Sequence, residues 1–313
     1  KIGLTALAGS LVATSVAYAA ELSVSGSAAM SVQNHSNKAT GKNVKMGNSV
    51  YFTGAGETDS GLNVNLSFEL DQGTPAGDGP FDSHFVSIGN DTLGTLTVHG
   101  HGGSNSAAAL DTTAAGDLWD NTLMNTDAAA STRMAPLASA SGNNLIVYSL
   151  PTLVDGLSVG ASLQAANSTG SSSTALGITY AGIDGLSLSL GQGNSEGALG
   201  TVGDQTIMKA SYAIGSFTVG ASHNEYDHTT ATIDQEVTSY AVAYTLTDQI
   251  SVTYGEETID RTGSASDIEV AGVSASFTSG GMTASLKQVE AKNANHTAAN
   301  DNEMWKLSLS FAF

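Results

Sequence analysis

The chain has 313 residues, no cysteine, 36 glycines against four prolines, and only 12% charged residues. Its 29 acidic and ten basic residues leave a net charge of −19, which excludes nucleic acid as a partner because phosphate repels such a surface. Mean hydropathy is zero, and past the first twenty residues no stretch is long and apolar enough for a membrane-spanning helix, so a helical membrane bundle is excluded as well.

In chain order, the first feature is Lys1 followed by the apolar run 2–16 and the small-residue site Ala17-Tyr18-Ala19. This pattern predicts a secretory signal peptide over 1–19, since the run falls short of the roughly 20 residues a spanning helix needs. The mature domain then covers 20–313. Removing Lys1 with the leader takes the net charge to −20, because every acidic residue follows it. Export also accommodates the lack of cysteine, as no thiol can mispair in an oxidising compartment.

From residue 21 onward, apolar and small polar residues alternate. Leu22, Val24, Gly26, Ala28, Met30 and Val32 share one face of a predicted strand, and Ser23, Ser25, Ser27, Ala29, Ser31 and Gln33 share the other. Leu62, Val64, Leu66, Phe68 and Leu70 alternate with Asn63, Asn65, Ser67, Glu69 and Asp71, and Leu186, Leu188 and Leu190 alternate with Ser187 and Ser189. A period of two puts each set on its own side of a sheet.

The connections alternate in length. Short turns fall at 59–61, 91–94, 155–156, 183–185, 215–216, 247–248 and 279–281. Longer polar, acidic connections fall at 34–46, 72–82, 102–142, 167–173, 192–203, 226–235, 259–266 and 292–301. The segments between them number about sixteen, each near the roughly 9–11 residues of a tilted membrane strand. The expectation is an all-β, antiparallel up-and-down transmembrane barrel. A β-sandwich explains the same alternation, but burying so many strands in one sheet pair is unusual. A β-solenoid requires a fixed short repeat, and none is present.

The last strand strengthens the barrel expectation. Trp305, Leu307, Leu309, Phe311 and Phe313 alternate with Lys306, Ser308, Ser310 and Ala312, and the sequence stops in mid-strand on an aromatic residue. A closing strand that pairs with the first leaves no free edge, and Trp305 and Phe311 with Phe313 suit the aromatic girdles at the two interfaces.

With these residues the chain resembles the general diffusion porins of Gram-negative bacteria, in particular the alphaproteobacterial kind. The resemblance extends to 24–30 (VSGSAAM), 58–62 (TDSGL), 93–100 (LGTLTVHG), 144–151 (NLIVYSLP) and 155–157 (DGL), in order along the mature chain. It implies sixteen strands, a third loop folded into the lumen, a homotrimer with contacts on the outer wall of the early strands, and location in the outer membrane. It further implies that Trp305, Leu307, Leu309, Phe311 and Phe313 form the assembly signal read by the barrel-insertion machinery, with outer-membrane lipid and lipopolysaccharide as surroundings.

The third connection, 102–142, is the longest, and a loop of that length is functional or disordered. It carries Asp111, Asp117, Asp120, Asp127, Trp119 and Arg133, which would line the narrowest point if the loop folds inward. The family opposes such carboxylates with a ladder of basic wall residues. Here no Lys or Arg lies between Lys45 and Arg133. Glu69, Asp71, His99 and His101 fall on the predicted lumen face, and Lys209, Lys287 and Lys306 are the lumen-facing bases expected from the pattern. His99-Gly100-His101 has a chelate-like spacing without an identifiable third ligand. Calcium at the acidic outer loops is the other metal expectation, and no cofactor is required.

No Gly-x-Ser-x-Gly elbow, phosphate loop or HExxH pair is present, so no enzyme is expected, although His35, His84, His223, His228 and His296 leave a rim-located hydrolase as a remote alternative. The expected function is a water-filled channel for passive diffusion of ions and small hydrophilic solutes, with a preference for cations drawn in by the acidic lumen. The alternative from another class is a surface-exposed structural or adhesive barrel without channel activity.

Overall fold

A computed structural model describes residues 21–36, 42–71, 81–118, 143–165, 172–195, 203–228 and 234–313. The predicted leader over 1–19 lies outside the described residues. Sixteen strands run in chain order: β1 Glu21–His35, β2 Lys42–Glu57, β3 Asn63–Asp71, β4 Phe81–Asn90, β5 Gly94–His101, β6 Leu145–Ser149, β7 Leu157–Gln164, β8 Ser173–Ile183, β9 Leu186–Ser195, β10 Gly203–Ile214, β11 Phe217–His228, β12 Gln235–Thr247, β13 Ile250–Arg261, β14 Ile268–Ser279, β15 Met282–Lys292 and β16 Asn302–Ala312. Each pairs antiparallel with its neighbours in sequence, and β16 pairs with β1, so the sheet closes.

Strand length departs from the expected uniformity. β6 has five residues, whereas β1 and β2 have 15 and 16. The long connections are shorter than the sequence suggested, because strands climb into them: β1 continues to His35 and β9 to Ser195. At the opposite end the turns are tight. Gly156 and Gly185 adopt φ of +75° and +74°, a left-handed conformation that glycine enters without a Cβ clash.

The alternation sorts side chains by solvent. Leu22, Val44, Leu190, Tyr240, Leu286 and Leu307 all project outward and are at least half exposed. A continuous apolar exterior of this kind has no water-soluble equivalent, and lipid is the medium that removes its cost. This observation decides against the sandwich. Aromatic residues gather at the short-turn end of the outer wall, where the rings of Phe217 and Tyr244 sit 4.7 Å apart across β11 and β12.

The seam between β1 and β16, nine paired positions from Ser27 with Ala312 to His35 with Met304, is extended by one further pair. The Gly26 N–H donates to the Phe313 carbonyl at 2.7 Å, and the Phe313 N–H donates back to the Gly26 carbonyl at 3.0 Å. The Phe313 ring occupies the space a Gly26 side chain would fill, 2.7 Å from the Cβ position. Trp305 stands opposite Asn34 and Gln288, nearer the long-loop end, while Phe311 stands opposite Ala28 and Met282 towards the short-turn end.

Candidate functional site: the lumen and its inward-folded loop

Direct cross-strand partners share a face, so the register draws rows of inward side chains around the wall. One such row is Lys209, Ser222, Ser239 and Glu257 on β10 to β13. The connection after β5 turns inward and lies along this row. Lys209 Nζ donates to the Thr112 carbonyl at 2.9 Å, and the Thr113 hydroxyl donates to the Glu257 carboxylate. The Ala114 and Ala115 N–H groups donate to Ser222 Oγ and Ser239 Oγ at 2.9 and 3.0 Å. Four consecutive loop residues thus meet four adjacent strands.

The loop's earlier part is held the same way. The Ser106 N–H donates to Ser162 Oγ at 2.9 Å, and Asn224 Nδ2 donates to the Asp111 carbonyl at 2.6 Å. A single 3-10 turn, Ala108–Leu110, shortens the path between them. Ala107 is fully buried with Ala175 and Ile207, and Leu118 is buried among Val237, Ile259, Ile268 and Val289. Folding the loop inward therefore buries apolar surface as well as pairing its backbone groups.

Room for the loop comes from glycines on the inward face. A Cβ on Gly255 would stand 2.6 Å from Ala115 Cβ, and one on Gly272 would stand 2.8 Å from Leu118 Cδ2. Gly160, Gly191 and Gly220 approach Ser106, Ala107 and Ala114 within 3.3 to 3.4 Å of the same position, and a Cβ on Gly177 would overlap the Ser106 carbonyl. Sequence reasoning missed this track. Its signal was available, because each of these glycines sits at an inward position of its strand where a polar side chain would otherwise project.

The loop carboxylates differ in surroundings. Asp117 Oδ1 accepts the Thr113 N–H at 3.0 Å and the Asp117 N–H returns to Thr113 Oγ1 at 2.9 Å, so this acid stabilises the loop's own turn. Asp111 is half-buried. Loss of hydration, reinforced by the nearby Asp117 charge and only partly offset by Lys209, pushes its carboxyl up to about 6. Trp119, Asp120, Asp127 and Arg133 lie outside the described residues.

On the wall, Glu69 faces inward and accepts hydrogen bonds from Tyr51 Oη and Ser83 Oγ, both at 2.7 Å. Asp71 lies on the same face opposite Ser49. Lys287 and Lys306 are direct cross-strand partners facing the lumen. The sequence reading missed Lys45, which shares the inner face with Ser31, and Arg261, which follows Glu257 and Ile259 on the inner face of β13. Both were legible from strand parity alone.

Two expectations change. His99 faces inward against Phe85, with ring centroids 5.4 Å apart. His101 does not join it: a register shift between β4 and β5 sets His99 opposite Phe85 and His101 opposite His84, whose ring stacks on the outward Phe68. The extra residue is Gly100, whose Cβ direction meets the His84 ring, and His101 Nδ1 lies against the Asp82 carbonyl of β4 rather than beside the His99 ring. Among the described residues, no group of three or more His, Cys, Asp or Glu side chains is placed to hold a metal.

The net charge is also distributed differently from the expectation. Glu236, Glu256, Asp260, Glu269, Glu290 and Glu303 are exposed on the outer face of β12 to β16, alternating with inward Val237, Glu257, Ile259, Val270, Val289 and Met304. Among the described residues, Glu21, Glu57, Glu69, Asp71, Asp111, Asp117 and Glu257 face the interior together with Lys45, Lys209, Lys287, Lys306 and Arg261. The interior so described carries a much smaller excess of acid than the chain's −19.

Residues 3–267 match a family model described as Gram-negative porin. Among solved structures, the anion-selective porin from Comamonas acidovorans aligns with a TM-score of 0.72 at 16% identity, over 94% of this chain and 100% of that one. A triple mutant of the Rhodopseudomonas blastica porin aligns at 0.67 and 16% identity over the same shares, and Salmonella typhi OmpF in complex with daunomycin aligns at 0.69 and 12%, over 94% and 98%. No curated protein matches the chain. The match over most of the sequence, joined to a closed sixteen-stranded barrel with a loop folded onto its inner wall, places the chain in the Gram-negative porin family as a diffusion channel of the outer membrane.

Proposed function

We propose that the channel passes ions and small hydrophilic solutes by passive diffusion, with a weak preference for cations, and that it works as a homotrimer. The observation that carries this reading is a loop pinned by hydrogen bonds to the inner wall of a closed barrel, with Asp111 and Asp117 on the loop and Lys45, Lys287 and Lys306 on the inner face of the wall. A unit charge 4 Å from a passing ion contributes about 1 kcal/mol in water and about 4 at an effective dielectric near 20, so one or two uncompensated carboxylates suffice for a severalfold bias. Opposing lysines reduce it. The Comamonas neighbour is described as anion-selective, which leans the other way, but the likeness at 16% identity concerns the fold and not the lumen side chains.

The trimer and the surrounding lipopolysaccharide are part of the same proposal, supported by the apolar outer wall of β1 to β5. Calcium at the acidic rim would be compatible with the channel and is not needed for conduction. The test is a reversal potential in a KCl gradient across a planar bilayer, for wild type and for the variant with Asp111, Asp117, Asp120 and Asp127 all changed to Asn. A modest cation-selective potential, falling towards zero in the variant and at high salt, is expected. A wild-type potential of anion-selective sign overturns the preference, and folded protein that never conducts favours the adhesive alternative.

A further inference from the structure

Between loop segment 104–110 and the short-turn half of β6 to β8 lies a cavity of about 340 Å³. Its hydroxyls come from Ser104 and Ser106 on the loop and Ser149, Thr152, Ser158 and Thr179 on the wall and turn. Among the described lining residues none is charged, although lysines and carboxylates occupy other parts of the lumen. Leu110, Val147, Leu150, Leu157 and Val159 contribute apolar surface beside them.

Ser106 marks the site as more than a surface dent. The residue is 7% exposed, and its Oγ is buried with no protein partner among the described residues. Its backbone N–H is already held by Ser162, so the loop does not depend on the hydroxyl. A buried hydroxyl without a partner costs free energy, and an arriving donor or acceptor recovers it. Gly160 and Gly177 let Ser106 lie this close to the wall, since a Cβ on Gly160 would stand 3.3 Å from the oxygen and one on Gly177 would overlap the Ser106 carbonyl.

We infer that this cavity is a transient subsite for a small uncharged polyol or single sugar ring on its way through the channel. The absence of a countercharge among the described lining residues disfavours ions, and hydroxyls set among apolar side chains suit a solute that carries both kinds of surface. A sugar ring presents hydroxyls at its edge and C–H groups on its face, which match the serines and threonines and the Leu110 patch in turn. The volume lies at the low end of small-molecule sites, enough for one ring and too small for an oligosaccharide. Neutral hydrogen bonds in an open cavity hold the solute weakly, as passage requires. This inference rests on the channel reading above.

Single-channel recording with glucose as probe tests it. A bound ring beneath the loop obstructs ion flow, so wild type is expected to show saturable partial block with excess current noise as glucose rises. Ser106→Ala, which retains the backbone bond to Ser162, raises the half-blocking concentration about fivefold, the loss of one neutral hydrogen bond. Ser158→Phe fills the cavity and abolishes the saturable component. Conducting wild-type channels whose current falls only in proportion to solution viscosity overturn the inference, as does a half-blocking concentration unchanged in both variants. Saturation-transfer NMR between glucose and folded wild-type protein in detergent provides a readout independent of conduction: transfer lost on Ser158→Phe supports the site, and its absence from wild type counts against it. Failure to conduct at all strikes the channel reading instead.

Discussion

Replacing Ser222 and Ser239 together by alanine removes two oxygens and nothing else from the inner wall. Ser222 accepts the Ala114 N–H at 2.9 Å and Ser239 accepts the Ala115 N–H at 3.0 Å, while Lys209, Glu257 and Asn224 keep their own grips on the loop. A neutral hydrogen bond contributes about 1 kcal/mol net, so the pair holds the loop against the wall by about 2 kcal/mol. Its loss changes the ratio of docked to undocked loop by a factor of about 30. The barrel itself should remain folded, because no apolar contact or ladder bond is touched. The expected readout is flicker: single-channel recordings of the double variant show more frequent brief excursions in current than wild type. The control is Ser285→Ala with Ser308→Ala, an inward cross-strand pair with no loop contact among the described residues. If the two double variants give the same noise as wild type, the hydrogen-bonded row does not position the loop and the reasoning fails.

Gly255→Val should push Ala115 off the wall, since the glycine already leaves only 2.6 Å to the Cβ position; overpacking of this kind costs about 1–3 kcal/mol, and altered unit conductance with unchanged trimer content would reveal it. Because the Asp111 carboxyl titrates near 6, cation preference should fall as pH is lowered from 7.5 to 5, and Asp111→Asn should flatten that dependence in reversal-potential measurements. The stability sign is opposite to ordinary acid unfolding: a carboxyl raised in the folded state imposes no penalty below about pH 4 and its full penalty above about 6, so this residue favours the docked loop more at pH 5 than at 7.5, as limited proteolysis of the loop can test. Phe313→Asp should leave the protein in the periplasm, and Gly26→Leu should impair closure by displacing the Phe313 ring; outer-membrane fractions with normal amounts of both variants contradict the closing role of that pair.

Strand order, the alternation of short turns with long loops, and the inward or outward parity of most side chains follow from the sequence alone. These properties are local: a period of two and a turn signal such as Asp155-Gly156 need no distant partner. Glu69, Asp71, Lys209, Lys287 and Lys306 could be put on the inner face for that reason, and Lys45 and Arg261 could have been. Tertiary structure decided the rest. The register shift beside His101 arises between two strands, not within one. The loop's course depends on contacts such as that of Ala115 with Ser239, 124 residues apart, and on glycines whose missing side chains acquire meaning only when another segment lies over them. Net charge could be summed from the sequence, but its division between an acidic outer rim and a less acidic inner face among the described residues required the register of sixteen strands, because the field that an ion meets depends on where the charges stand and not on their total.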